Sequence, residues 1–350
     1  MNPGEEKEKT AMVLEIQRMS TEDGPGIRTT VFFKGCSLGC TWCHNPESIS
    51  ARAQLQWIGN RCIGCHSCLT VCPEKALSAS PDGIIIDRGR CKGCGTCAEE
   101  CPSTALEIMG KTWTVDDLVH EVLKDRVYFE TSGGGITASG GEAALQADFV
   151  ADFFKRCRAQ GVHTALDTCG QVSWQAYEKI LPHTDLLLFD MKLIDSEEHR
   201  RYTGKGNKKI LENLLFIRGW REDHGCPDKL WIRTPVIPGA TDSEENIAGI
   251  GEFIHRHLAD GMDRWELCAF NNLCRDKYSR LDLNWAFHDA KLMTEARMTR
   301  LCALARSRVD DPERVQWSGS VRSEEAVCAD EPERSSQPAL RIIDGCRADG

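Results

Sequence analysis

Two cysteine runs with one spacing constrain this chain more than any other feature: Cys62-x2-Cys65-x2-Cys68-x3-Cys72-Pro73 and Cys91-x2-Cys94-x2-Cys97-x3-Cys101-Pro102. In a reducing compartment, clustered thiols are metal ligands or redox groups rather than disulfides. At this spacing the fourth cysteine of each run ligates the iron–sulfur cluster of the other. One 4Fe–4S cluster is therefore expected on Cys62, Cys65, Cys68 and Cys101, and another on Cys91, Cys94, Cys97 and Cys72. Four thiolates close each cluster to substrate, which suits electron transfer. Zinc is the alternative, although it does not require the proline that follows each fourth cysteine.

Nineteen cysteines stand in the 350 residues, eleven of them between Cys36 and Cys101. The other eight are scattered and read as small buried hydrophobes or incidental thiols. A net charge of −10 offers no basic stripe for nucleic acid. No apolar run is long enough to span a membrane. The charged start, MNPGEEKEKT, lacks an apolar signal region, so a cytoplasmic location is expected.

Along the chain, strand patterns are expected near Val13–Ile16, Thr29–Phe33, Ile136–Ala138, His163–Asp167, Leu186–Met191, Leu230–Val236 and Arg264–Phe270. Helical patterns are expected near Ala147–Gln160, Trp174–Ile180, Glu244–Leu258 and Ala290–Ala305. This alternation predicts an α/β fold with a parallel sheet and helical crossovers. With a cofactor at the strand C-terminal ends, it becomes a full or partial (β/α) barrel. The barrel domain takes residues 1–55 and 104–310. A small insert, 56–103, holds the paired cysteine runs and is expected to rely on its ligands rather than on a core. Residues 311–350 read as a polar C-terminal extension with low order, in which Val315–Trp317 has strand character.

A third constellation follows the second expected strand: Cys36-Ser-Leu-Gly-Cys40-Thr-Trp-Cys43. Three thiolates hold three corners of a 4Fe–4S cube and leave one iron open, as a catalytic metal requires. That iron would chelate the amino and carboxylate groups of S-adenosylmethionine, and an electron passed to the sulfonium would release a 5′-deoxyadenosyl radical. A zinc site completed by His44 or a distant cysteine remains the other reading of these residues.

With these runs, Asp23-Gly-Pro-Gly-Ile-Arg28, His44-Asn-Pro-Glu-Ser48, Gly133-Gly-Gly-Ile-Thr-Ala-Ser-Gly-Gly-Glu142, Leu166-Asp-Thr168 and Asp190-Met-Lys192 complete a motif set. Across residues 12–310 the sequence resembles the radical S-adenosylmethionine (radical SAM) superfamily. It is most similar to the glycyl-radical-enzyme activating enzymes that carry a ferredoxin-like insert.

The resemblance implies that Gly140, Gly141 and Glu142 hold the amino group of S-adenosylmethionine, and that Trp42 packs near its adenine. It implies that Lys192 and Arg233 contact the cofactor. Asp167 and Asp190 would flank a monovalent cation beside it, and Asp23 would face the partner's glycine loop. The competing readings are a tight turn for the glycines, core packing for Trp42, a solvated lysine, a salt bridge for Arg233, and turn or cap roles for the aspartates. Ala143 departs from the family's usual proline. Asn271 stands where some relatives have a cofactor-contacting histidine.

The implied activity is anaerobic. A flavodoxin or ferredoxin supplies an electron, relayed through the insert, and the adenosyl radical takes hydrogen from a backbone glycine of a glycyl radical enzyme. An isethionate sulfite-lyase is the first expected partner. A choline trimethylamine-lyase is next, ahead of a glycerol or diol dehydratase or a decarboxylase of that class. The rivals are an electron-transfer protein, which leaves Cys36, Cys40 and Cys43 without a purpose, and a radical enzyme acting on a small molecule or RNA.

Overall fold

The computed structural model describes residues 8–258 and 261–323. Its sheet strands are β1 (Thr10–Ser20), β2 (Arg28–Phe33), β3 (Gln54–Trp57), β4 (Leu77–Ser80), β5 (Gly83–Ile86), β6 (Leu106–Met109), β7 (Lys111–Thr114), β8 (Gly135–Gly140), β9 (His163–Thr168), β10 (Leu186–Asp190), β11 (Lys229–Val236), β12 (Arg264–Ala269) and β13 (Val315–Ser318). Nine of these form one sheet in the order β13-β12-β11-β10-β9-β8-β2-β1-β7. From β2 to β13 every pairing is parallel, whereas β1 pairs antiparallel with both β2 and β7. Among the described residues β7 and β13 are edges that do not meet, so the barrel is partial.

Alternation along the strands builds two different faces. On the convex side Leu187, Phe189, Leu230 and Ile232 are buried with Phe149, Phe153, Ile247 and Ile250 of the covering helices. On the concave side Ala165, Leu186 and Leu188 form a separate apolar layer against Trp231. One step further along the same strands come Asp167, Asp190 and Arg233. The register sets Asp190 opposite Arg233 and Arg233 opposite Glu266. The barrel interior thus turns from apolar to charged toward the strand C-termini, where the expected cofactor residues lie.

The expected strands are all present. The helices Ala147–Ala159, Trp174–Ile180 and Glu244–Leu258 match closely. The last expected helix begins at Glu295 rather than Ala290, where Thr294 accepts from the Arg297 amide as N-cap. Two crossover helices, Ser196–Thr203 and Lys208–His224, were not expected. The sheet also continues past residue 310, because β13 pairs with β12 from Val315 opposite Trp265 to Ser318 opposite Cys268. The rest of the expected extension, 324–350, lies outside the described residues.

The insert leaves the barrel on β3 and returns on β6, which pair from Gln54 opposite Met109 to Trp57 opposite Leu106. It has a small core of its own, contrary to expectation: Leu55, Ile84, Ile86 and Leu106 are buried together with Cys68 and Cys97. Half-buried Cys62, Cys91 and Cys101 pack against that cluster, so apolar burial and ligand placement are one structure here.

Candidate active site and cluster cages

An open cavity of about 910 Å³ occupies the concave face. It is lined at one end by Ser20 to Asp23, from the loop before β2, and at the other by Cys36, Cys40, Trp42 and Cys43, from the loop after it. Gly140, Gly141, Asp167, Asp190, Lys192 and Arg233 line the wall between. A single small-molecule site usually takes about 300–1,000 Å³. This one has room near the upper end of that range, while its mouth stays open.

The cysteine loop is held by backbone hydrogen bonds rather than by regular structure. Gly35 N donates to Ser48 O at 2.7 Å, Cys36 N to Ile49 O at 3.1 Å, and Thr41 N to Tyr202 O at 3.0 Å. The Gly140–Gly141 pair fastens the other side: Gly141 N donates to Phe33 O and Glu142 N to Gly35 O, at 2.9 and 2.8 Å. A Cβ on Gly140, whose φ is +110°, would lie 2.4 Å from Phe33 O, and one on Gly141 would lie 2.3 Å from Gly35 O. The glycines are therefore required by the close approach of the β2 and cysteine-loop backbone.

Burial pushes the Cys40 thiol up to about 11 and the Cys43 thiol up to about 12. Thiols this reluctant to ionise become thiolates when a metal supplies the compensating charge. Cys36, Cys40 and Cys43 meet at one cavity, with no fourth cysteine in the loop, and fit an iron–sulfur cube with one corner facing the cavity. His44 does not complete a zinc set through Nε2, which lies 2.9 Å from the Asn271 carbonyl and so donates to it. Asn271 itself lines the cavity.

Glu142 departs from expectation. Its side chain is buried and does not line the cavity. It turns inward, accepting from Ala144 N at 3.1 Å, Cys169 N at 2.8 Å and the Thr168 hydroxyl at 2.9 and 3.0 Å. Burial first, and the neighbouring Cys169, raise its carboxyl well above the usual range. Glu142 thus ties the end of β8 to the end of β9 and positions the glycine pair from behind. Cys169, which no sequence motif singled out, lines the cavity next to it.

Lys192 is buried and donates to Asp190. Burial works against its ammonium, but Asp190 and the nearby thiols outweigh that, and its pKa is raised. A buried, charged lysine at the cavity wall replaces the solvated one that sequence alone allowed. Arg233 lies 3.9 Å from Asp167 and 3.6 Å from Glu266. Its buried Nε is the atom that faces Glu266, and it makes no hydrogen bond there. Asp167 accepts from Ser139 at 2.7 Å, and burial, then Asp190, push its carboxyl up to about 6. Both aspartates already have protein partners, Ser139 for Asp167 and Lys192 for Asp190. Trp42 packs against Tyr202 and Phe287 while still lining the cavity, so core packing and a ligand-facing role coincide. Asp23 accepts from the hydroxyls of Ser20 and Thr30, at 2.6 and 2.7 Å, at the opposite end of the cavity from the cysteines.

In the insert, two small cavities, of about 10 and 20 Å³, are each lined by four cysteines. One gathers Cys72, Cys91, Cys94 and Cys97. The other gathers Cys62, Cys65, Cys68 and Cys101. The fourth cysteine of each run lies with the first three of the other, as the spacing predicts.

This geometry accords with the similarities to known proteins. Residues 30–249 match the family model described as the Radical SAM superfamily, and the chain belongs to that superfamily. Over 271 residues it is 41% identical to a trans-4-hydroxy-L-proline dehydratase activating enzyme of Clostridioides difficile, covering 77% of this chain and 87% of that one. Identity is 42% over 287 residues to an isethionate sulfite-lyase activating enzyme of Oleidesulfovibrio alaskensis, covering 81% and 90%. It is 37% over 286 residues to a (2S)-3-sulfopropanediol dehydratase activating enzyme of Klebsiella oxytoca, covering 80% and 88%. Within the superfamily, these relatives are glycyl-radical-enzyme activating enzymes.

Proposed function

We propose that this chain activates a glycyl radical enzyme, with Cys36, Cys40 and Cys43 holding the catalytic cluster and the two insert cages holding one cluster each. The observation that carries the reading is a single cavity with the three thiols at one end and the Asp23 loop at the other. When bound, the open cluster would supply the electron that cleaves S-adenosylmethionine to methionine and a 5′-deoxyadenosyl radical.

The chain's own residues would bind, orient and shield. The Gly140–Gly141 backbone and Lys192 would receive the amino and carboxylate ends of the cofactor, with Arg233 contributing its charge from the cavity wall. Trp42 would cover the adenine. Asp23, at the far end of the cavity, would meet the partner's glycine loop. A monovalent cation near Asp190 would have to compete with Lys192 for that carboxylate. A flavodoxin or ferredoxin is the electron donor this reading implies.

The partner is a glycyl radical enzyme that eliminates from or dehydrates a small polar organic. Relatives named for three different partners lie between 37% and 42% identity. Overall similarity therefore does not rank isethionate sulfite-lyase above the dehydratases. The test is anaerobic incubation of the reconstituted protein, S-adenosylmethionine and a low-potential reductant with purified candidates of each class. Electron paramagnetic resonance (EPR) should show the doublet of a glycyl radical in one of them. Cleavage of S-adenosylmethionine with no radical in any candidate would refute the partner class, and no cleavage at all would refute the site.

A further inference from the structure

The two cysteine cages are not equivalent in their distance from the barrel. They sit side by side along the β3–β6 ladder. Leu55 and Ile108 line the Cys72 cage, whereas Trp57 and Leu106, further out on the same strands, line the Cys62 cage. The barrel end of the ladder is fixed, because Gln54 accepts from Lys34 Nζ at 3.1 Å and Lys34 directly precedes the cysteine loop. At ~3.3 Å per residue, one step of two residues sets the Cys62 cage roughly 7 Å further from the barrel along the ladder. Exposure does not rank the cages, since Cys65 and Cys94 are both exposed. Position on the ladder does.

A second connection joins the inner cage to the active site. Arg88, three residues before Cys91, donates to Leu55 O inside the insert. The same guanidinium reaches out of the insert, donating to Arg280 O at 2.8 Å and to Asp282 at 3.1 and 3.2 Å. Arg280 ends the helix Arg275–Arg280, which also carries Tyr278. Tyr278 is buried and donates its hydroxyl to the carbonyl of Cys43 at 2.9 Å. Its ring stacks on Trp285, with centroids 5.3 Å apart. A surface ion pair such as Arg88–Asp282 contributes little stability, so stability alone gives a weak account of this bridge. Its two ends explain it better: one is at the inner cage and the other on a ligand residue of the radical site.

We infer that the insert is an ordered electron inlet, in which the Cys62 cage is the outer station and the Cys72 cage the inner one, and Arg88 and Tyr278 are positioning residues that couple the inner station to the Cys43 side of the active site. This rests on the proposed three-cluster reading. One electron leaves a low-potential one-electron donor and one arrives at the active-site cluster. No bond in the protein is made or broken.

The test uses the full reconstituted chain. Iron analysis and Mössbauer spectra come first, because fewer than three cubes would sink the three-cluster reading itself. Cys65→Ala and Cys94→Ala then assign the outer and inner EPR signals. After mixing wild-type protein with flavodoxin hydroquinone, freeze-quench EPR should show the outer signal first, the inner signal next and the S-adenosylmethionine-perturbed signal last. Simultaneous or inverted appearance would overturn the order.

Arg88→Gln and Tyr278→Phe should keep full iron content and dithionite-driven cleavage. They should slow reduction of the active-site cluster by flavodoxin at least tenfold. Unchanged transfer in both variants would overturn the coupling role. Equal loss with dithionite and with flavodoxin would also overturn it, because the residues would then only hold the fold.

Discussion

Replacing Glu142 separates a positioning role from a ligand-binding one. Both of its carboxylate oxygens accept a backbone amide, one from Ala144 and one from Cys169, in a fully enclosed setting. Glu142→Ala would orphan both donors, at about 1–3 kcal/mol each, or ~2–6 kcal/mol together. The Thr168 hydroxyl adds less, since it retains Tyr177 at 2.8 Å. Glu142→Gln replaces one acceptor with a donor, orphans one amide, and should cost about half as much. For a protein of this size each kcal/mol moves the melting temperature by roughly 1–2 °C, so anaerobic thermal scans at one rate should rank wild type above Gln above Ala. Binding of S-adenosylmethionine, read from the shift it causes in the EPR signal of the reduced cluster, should persist in the Gln variant. The reasoning fails if the Ala variant melts like wild type while the cofactor shift disappears, because the carboxylate would then face the ligand.

Other outcomes follow from the same geometry. Cys40→Ala should abolish reductive cleavage, measured as 5′-deoxyadenosine by chromatography. Iron should approach about twelve atoms per chain, three cubes of four, and a value near four would empty the insert cages. Gly140→Ala should destabilise the cysteine loop by about 1–3 kcal/mol, because its Cβ meets Phe33 O; protein that melts normally and keeps the active-site cluster would contradict this. Asp167 has a folded pKa near 6, above the usual carboxylate value, through burial and Asp190. The folded state therefore keeps a proton that the unfolded chain releases, so this group's contribution is fully present below about pH 4 and is lost as pH rises through 6. Asp167→Asn should flatten that slope in denaturation series between pH 4 and 7; an unchanged slope would assign it to another group.

The parallel strands were legible because each is a short apolar run bounded by turn residues. The charged ends Asp167, Asp190 and Arg233 stood out against those runs. The helix Lys208–His224 was not legible, for a physical reason. Ile210, Leu214 and Ile217 are buried, but Leu215 and Phe216 are exposed, so the apolar residues do not confine themselves to one stripe. The start of the last helix could have been found, since Thr294 is a good N-cap residue and Glu295 opens the first turn with an acid. Glu142 stands in the Gly-Gly-Glu segment that the sequence marks, yet its direction depends on where Thr168 and Cys169 lie in space, which no local pattern encodes. The cage pairing was legible because thiol spacing carries it. The order of the cages was not, because it comes from the register of Gln54 opposite Met109.

That register has an architectural consequence. The chain departs from the barrel and comes back to it on two strands already hydrogen-bonded side by side, with β7 following at once to close against β1. A segment entered and left through one doorway can be lengthened, shortened or exchanged without moving any wall of the room behind it. On the proposed reading, the electron path could thus be refitted to a different reductant while the neighbouring radical site keeps its geometry.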